Sequence, residues 1–256
     1  MVRLDLNADV GESFGQYHLG SDPEILEYVT SANIACGLHA GDPVIMRRTI
    51  LATKERGVRI GAHPGYPDLQ GFGRREMSLT PEEVRDVVLY QIGALQAFAK
   101  ACGMRLQHVK PHGALYNVAS KDQAVAKAIA VAVVEADPTL ILVGLAGSAL
   151  LEAGRAMGLK VAGEAFADRA YTDEGVLLSR RLPGAVITDV GEAVARAVQI
   201  AQGKIRTVSG REITVKAETL CIHGDTPGAP EMARQIRKGL KAAGVHISPL
   251  EEVLGR

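Results

Sequence analysis

The feature that most constrains this chain is an alternation running from end to end, in which short apolar segments are separated by longer amphipathic ones carrying helix start and stop signals. Seven segments read as strands: Arg3–Ala8, Ala32–Ala35, Arg59–Ala62, Leu106–Val109, Leu140–Leu145, Lys160–Ala162 and Thr219–Ile222. Between them Asp42–Arg56, Pro81–Cys102, Lys121–Ala136, Ser148–Met157, Asp189–Gln202 and Ala229–Ala243 read as helices. The clearest is Pro81–Cys102, with Thr80 as N-cap, Pro81 at the first helical position, Glu82 and Glu83 at the positive end and Gly103 as the stop. Strand–helix repetition implies a mostly parallel sheet, whose sites lie at the carboxyl ends of the strands. An open sheet gathers ligand at one switch point, whereas a closed barrel lets every strand end converge. Polar clusters follow at least six of the seven strands, which predicts an α/β fold of the irregular seven-stranded (β/α) barrel type, as one domain over 1–256. Thr207–Val215 reads as an inserted hairpin turning at Ser209-Gly210. Two loops, His63–Leu79 and Glu164–Val186, are long enough to act as lids.

Charge and cysteine usage narrow the function. The 29 Lys+Arg balance 29 Asp+Glu, so the chain lacks the basic excess that nucleic acid or anionic lipid demands. With 4% aromatics and no Trp, platforms for stacking single strands are scarce as well. Cys36, Cys102 and Cys221 are odd in number and far apart, which suits reduced thiols in a cytoplasm. No apolar leader follows Met1, and no segment has the roughly 20 apolar residues of a membrane span.

Residues two apart on a strand share a face, so Asp5, Asn7 and Asp9 form one row, as do His108, Lys110 and His112, and Cys221, His223 and Asp225. Such rows belong in the barrel interior, where buried charge must be paired. Asp5 lies about 13 Å below Asp9 along the strand. Asp9, with Glu12 beyond it, therefore reaches the mouth, while Asp5 and His108 read as satisfied core groups. His39 and His63 end successive strands, and with Asp9 and His223 they could hold a divalent metal. Lys110 and His112 are candidates for a general base or an electrostatic anchor. Glu164 and Asp168 form a second carboxylate pair. Arg74, Arg75, Arg169 and Arg180, all in the long loops, are candidates to clamp a carboxylate or phosphate. The sequence holds no P-loop, no dinucleotide fingerprint after a strand and no G-x-S-x-G elbow.

The motifs D-L-N-A-D-V-G-E-S-F-G (5–15), S-A-N-I-A-C-G-L-H-A-G-D-P (31–43), G-A-H-P-G-Y-P-D-L-Q-G-F-G-R-R (61–75), H-V-K-P-H-G-A-L-Y-N (108–117), E-A-F-A-D-R-A-Y (164–171) and C-I-H-G-D-T-P (221–227) together resemble the LamB/YcsF family, in order and across nearly the whole chain. That resemblance implies a barrel related to glycoside hydrolases and carbohydrate deacetylases. It also implies the A subunit's part in an ATP-dependent 5-oxoprolinase, working with subunits B and C to open the lactam of 5-oxoproline to glutamate. On that reading ATP arrives with Mg2+, bound by this chain or by its partners. Lys110, Asn7, Asn33, Arg74, Arg75, Arg169 and Arg180 hold substrate or phosphoryl oxygens, and Asp9, His112 or His223 activates water. Two rivals stay open: a metal-dependent amide or carbohydrate deacetylase, and a non-catalytic subunit that binds substrate. The T-F-D-D and paired-histidine motifs usual in those deacetylases do not occur here.

Overall fold

The computed structural model describes residues 2–180, 182–222 and 228–255. Chain order begins β1 (Arg3–Val10), α1 (Asp22–Ile25), β2 (Ser31–Ala35), α2 (Pro43–Glu55), β3 (Arg59–His63), α3 (Pro81–Ala101) and β4 (Leu106–Val109). It continues with α4 (Gly113–Ala119), α5 (Gln123–Ala136), β5 (Ile141–Leu145), α6 (Ala149–Ala156), β6 (Lys160–Phe166) and α7 (Val190–Ala201). It closes with β7 (Lys204–Arg206), β8 (Glu212–Thr214), β9 (Thr219–Ile222), α8 (Ala229–Ala242), β10 (His246–Ile247) and α9 (Leu250–Val253). Strands β1 to β6 and β9 pair in parallel, and β9 pairs back onto β1, so the seven expected strands close into a barrel. The helices start where local chemistry dictates. Thr80 and Glu83 form a reciprocal capping box on α3, and Asp42, Asp122 and Asp189 each accept backbone N–H groups at the starts of α2, α5 and α7.

The alternation in β1 decides what fills the barrel. Leu4, Leu6, Ala8 and Val10 face outward into the core shared with the helices, and Asp5, Asn7 and Asp9 face the lumen. The lumen is polar because each of its groups finds a partner across it. Asp5 accepts from Thr30, Ser31 and Thr219 at 2.6–2.7 Å. Asn7 donates to Glu164 (2.9 Å) and Thr219 (2.7 Å), and Asn33 donates to Asn7 (2.7 Å) and Asp9 (2.8 Å). Burial outweighs the hydroxyl donors at Asp5 and pushes its carboxyl up to about 6. Below this layer Leu250 of α9 closes the barrel against Ile141, Val143 and Ala162.

A register irregularity between β3 and β4 turns both Gln107 and His108 inward. His108 then bonds Asn33 at 2.7 Å, and its ring occupies the space a Cβ would need at Gly61. Burial and the nearby Lys110 charge push the His108 imidazole down to about 3, so it is a neutral structural group.

The structure corrects several boundaries. β6 runs to Phe166 and β3 to His63, so Glu164 and His63 sit inside strands and do not open the long loops. The hairpin has its arms at 204–206 and 212–214, earlier than expected, because the turn residues Thr207 and Ser209 are taken up by hydrogen bonds to Asp173 in the second long loop. The short α1, α4, α9 and β10 add to the expected elements; two to seven residues carry too little periodicity to announce themselves. The three cysteines are free and buried. Among the described residues no helix is long and apolar enough to cross a membrane.

Candidate active site

Strand ends β1, β3, β4 and β6, with the loop after β2, bring Asp9, Glu12, His39, His63, Lys110, His112 and Glu164 together at one end of the barrel, all buried. Lys110 continues the inward row of β4 and is the charge centre of the floor. Its Nζ lies 2.9 Å from Asp9 Oδ1, 2.9 Å from Glu164 Oε1, 3.1 Å from Cys221 Sγ and 3.3 Å from Asn7 Oδ1. An ammonium has three protons to donate, so these acceptors saturate it. Burial alone would lower its pKa, but the carboxylates of Asp9 and Glu164 more than reverse that and hold it well above the usual lysine value. Lys110 is therefore a fixed cation. The Cys221 thiol beside it is pushed up by burial and stays protonated.

Above the floor three imidazoles pack together. His63 Nδ1 lies 2.7 Å from the Lys110 carbonyl, and His112 Nε2 lies 2.9 Å from the Phe72 carbonyl. A carbonyl only accepts, so these contacts place the ring protons at His63 Nδ1 and His112 Nε2. The two remaining nitrogens, His63 Nε2 and His112 Nδ1, face each other at 3.0 Å. His39 stacks on His112 with centroids 3.8 Å apart and planes 7° from parallel, and both its nitrogens are buried without a hydrogen-bond partner among the described residues. Burial, and then the neighbouring imidazoles, push His39 and His112 well below the ordinary histidine range, so both are neutral near pH 7. Carboxylates approach from β1 and the loop after it: Asp9 Oδ2 is 3.4 Å from His63 Nε2, and Glu12 Oε1 is 3.6 Å from His112 Nδ1 and 3.8 Å from His39 Nε2.

The first long loop closes over this cluster by backbone approach. A Cβ at Gly65 would fall 2.7 Å from His39 Nδ1, and one at Gly73 would fall 2.8 Å from His39 Cβ and 2.9 Å from His112 Cδ2. Phe72, between Gly71 and Gly73, takes a left-handed φ of 55°, which turns its carbonyl onto His112. Its ring meets the edges of His39 and His112, and the Arg74 guanidinium lies 4.8 Å above it. Outside the cluster is a cleft of about 950 Å3, lined at its base by Asp9, Glu12, His63, Lys110 and His112. Its rim carries Arg74, Arg75, Lys121, Arg169 and Arg180.

Not every candidate residue reaches the cleft. Asn7 and Asn33 lie below it, holding Asp9, Glu164 and His108 in place. Arg169 lines the cleft, yet its guanidinium donates to the carbonyls of Ala185 and Leu178 and so ties down the second long loop. Burial, and then the Arg180 charge, push it down to about 10. Arg75 makes a bidentate pair with Asp68. Asp168 is buried at the start of the second loop, where its carbonyl accepts from Ile187 N. His223 and Asp225 lie outside the described residues. Sequence reasoning passes over Phe72, and over Tyr116 and Lys121, which line the cleft. The glycines flanking Phe72 are its available signal, since both permit the close approach that the turn requires.

Residues 4–255 match the LamB/YcsF family. The A subunit of 5-oxoprolinase from Pyrococcus abyssi is 54% identical over 255 residues, covering 99% of this chain and 100% of the relative. Its counterpart from Bacillus subtilis is 54% identical over 253 residues, 98% of each chain. The crystal structure of a lactam utilization protein from Thermus thermophilus superposes with a TM-score of 0.91 at 52% identity, covering 96% of this chain and 99% of that one. The T48 deacetylase, solved with substrate, superposes with a TM-score of 0.50 at 14% identity over 98% of this chain and 90% of its own, a likeness of fold alone. Matched from end to end by its sequence and by a solved structure, the chain belongs to the LamB/YcsF family.

Proposed function

We propose that this chain is the A subunit of an ATP-dependent 5-oxoprolinase, acting with subunits B and C to open the lactam of 5-oxo-L-proline to L-glutamate as ATP becomes ADP and phosphate. The name carried by relatives of equal length supports the reading. The observation that carries it is the cleft itself, with a cationic rim for an anionic substrate above a buried floor of carboxylates and imidazoles. The three free buried thiols support a cytoplasmic setting.

The chemistry explains why ATP is needed. An unstrained five-membered amide is a poor electrophile, and transfer of the γ-phosphoryl group to its oxygen corrects that. Water then adds to the same carbon and the C–N bond breaks, freeing the α-amine and leaving an acyl phosphate. A second water releases phosphate and glutamate. Arg74, Lys121 and Arg180 hold the substrate carboxylate and phosphoryl oxygens, and Asp9 takes the proton from water, since His112 has its Nε2 proton on the Phe72 carbonyl and its Nδ1 turned to His63. Lys110, saturated by its partners, fixes Asp9 and Glu164 and supplies a positive floor. ATP arrives with Mg2+, held by this chain or by the partner subunits.

Reconstitution tests the assignment. Glutamate and phosphate are followed with ATP and 5-oxoproline while each subunit is omitted in turn. Glutamate is expected only with the full set, and undiminished turnover without this chain would overturn the reading. Turnover by this chain alone would overturn its dependence on partners. A metal-dependent amide hydrolase that needs no ATP is the second reading, favoured by the cluster of Glu12 with three histidines. Amide cleavage that survives ATP removal but not chelation would establish it instead.

A further inference from the structure

The imidazole cluster is arranged around something other than its own members. His63 and His112 each use one nitrogen on a backbone carbonyl, which leaves the nitrogens that face each other at 3.0 Å without protons of their own. Two bare lone pairs at that distance repel unless a cation sits between or beside them. The carbonyl–imidazole arrangement is also the one that orients histidines for a metal, fixing both tautomer and ring plane. Glu12 Oε1 stands 3.6 Å from His112 Nδ1, too far for a hydrogen bond but close to the separation of two ligands on one ion. With bonds of roughly 2.0–2.1 Å, tetrahedral neighbours lie about 3.3 Å apart. The donor atoms of Glu12, His39, His63 and His112 all fall within 4.8 Å of one another.

We propose that His63 Nε2, His112 Nδ1 and the Glu12 carboxylate bind one divalent transition-metal ion at the base of the cleft. His39 is adjacent but lies nearly parallel to His112 at 3.8 Å, so its in-plane lone pairs do not meet an ion lying in the plane of His112; it becomes a fourth ligand only by tilting. Its buried, unpartnered nitrogens are the reserve for that movement. Two imidazoles and one carboxylate suit Zn2+, Co2+ or Ni2+ and not Mg2+, which prefers oxygen and keeps its waters. These ligands line the cleft, so the ion's remaining positions are open to a lactam oxygen or a water. The site is distinct from any Mg2+ that accompanies ATP. It stands on the geometry of the cluster and does not depend on the 5-oxoprolinase reading.

The test uses the full chain, stripped with chelator and dialysed, then titrated with Co2+ by visible absorption and with Zn2+ by calorimetry. One ion per chain is expected, with cobalt d–d bands that Zn2+ abolishes and a melting temperature that rises with Zn2+. Separate His63→Ala, His112→Ala and Glu12→Gln variants are expected to weaken binding by at least about 100-fold, and circular dichroism reports whether each is folded. Should a variant fail to fold, the cobalt spectrum of the unaltered chain still decides, because imidazole and carboxylate ligands give bands that hydrated Co2+ lacks. A folded chain that takes up no Co2+ or Zn2+ stoichiometrically, as with a proton shared between the two rings, would overturn the site. So would binding unchanged in His63→Ala and His112→Ala. The two readings fail separately. Glutamate formation by a reconstituted complex stripped of transition metal but supplied with Mg2+ and ATP removes a functional ion alone, and a metal-loaded chain inactive with all its partners removes the 5-oxoprolinase reading alone.

Discussion

Replacing Lys110 with Met removes the ammonium while keeping most of its volume, which isolates the charge. Asp9 and Glu164 both lose their counter-ion. The two carboxylates differ in what happens next. Asp9 is 8% exposed at the cleft base and can recruit water, whereas Glu164 is fully enclosed and cannot. Breaking a buried pair by removing one partner costs about 3–5 kcal/mol, and most of that falls on Glu164 here. For a chain of this size each kcal/mol moves the melting temperature by roughly 2–4 °C, so Lys110→Met should melt roughly 6–20 °C below the parent. The assay is urea unfolding followed by circular dichroism at pH 7, supported by calorimetry. Adding Glu164→Gln should restore about 2 kcal/mol, since a neutral amide still accepts from Asn7 and needs no cation. A loss below about 1 kcal/mol, or strict additivity of the two substitutions, would show that the ammonium does not neutralise this floor.

Three other outcomes follow from the same geometry. Asp5 ionises at about 6 in the folded chain, above its unfolded value of 3.8, so the proton it retains stabilises the fold below about pH 4, and this is lost as pH rises through 6. That difference corresponds to about 3 kcal/mol, and Asp5→Asn should flatten the stability slope between pH 4 and 6; an unchanged slope would assign it to other groups. Gly61→Ala would drive a methyl into His108 and break its bond to Asn33, destabilising by about 2–4 kcal/mol in denaturant melts, and a neutral effect would contradict the packing. Arg180→Ala removes a rim cation outside the imidazole cluster and should raise KM for the anionic substrate about 10-fold with kcat little changed; an equal loss in kcat would place it in the chemistry.

The barrel was legible because its determinants are local. Thr80, Asp42, Asp122 and Asp189 cap their helices through residues two or three positions away, and the period of two in Leu4–Asp5–Leu6–Asn7–Ala8–Asp9 separates a helix-facing side from a lumen-facing one within a single strand. The same period named nearly every polar residue of the floor. Which of them touch was not legible. From the chain alone His39 and His63 grouped with Asp9 and His223, and Lys110 with His112. In the folded molecule Lys110 divides its protons between Asp9 and Glu164, while His63 and His112 face each other from β3 and the start of α4. That choice depends on barrel register and on a loop folding back so that Phe72 turns its carbonyl onto His112. The amino-acid sequence by itself determined the strands, the helices and the polar character of the lumen, since those follow from neighbours along the chain. Only the tertiary structure decided which nitrogens keep their protons, because a tautomer is set by acceptors tens of residues away.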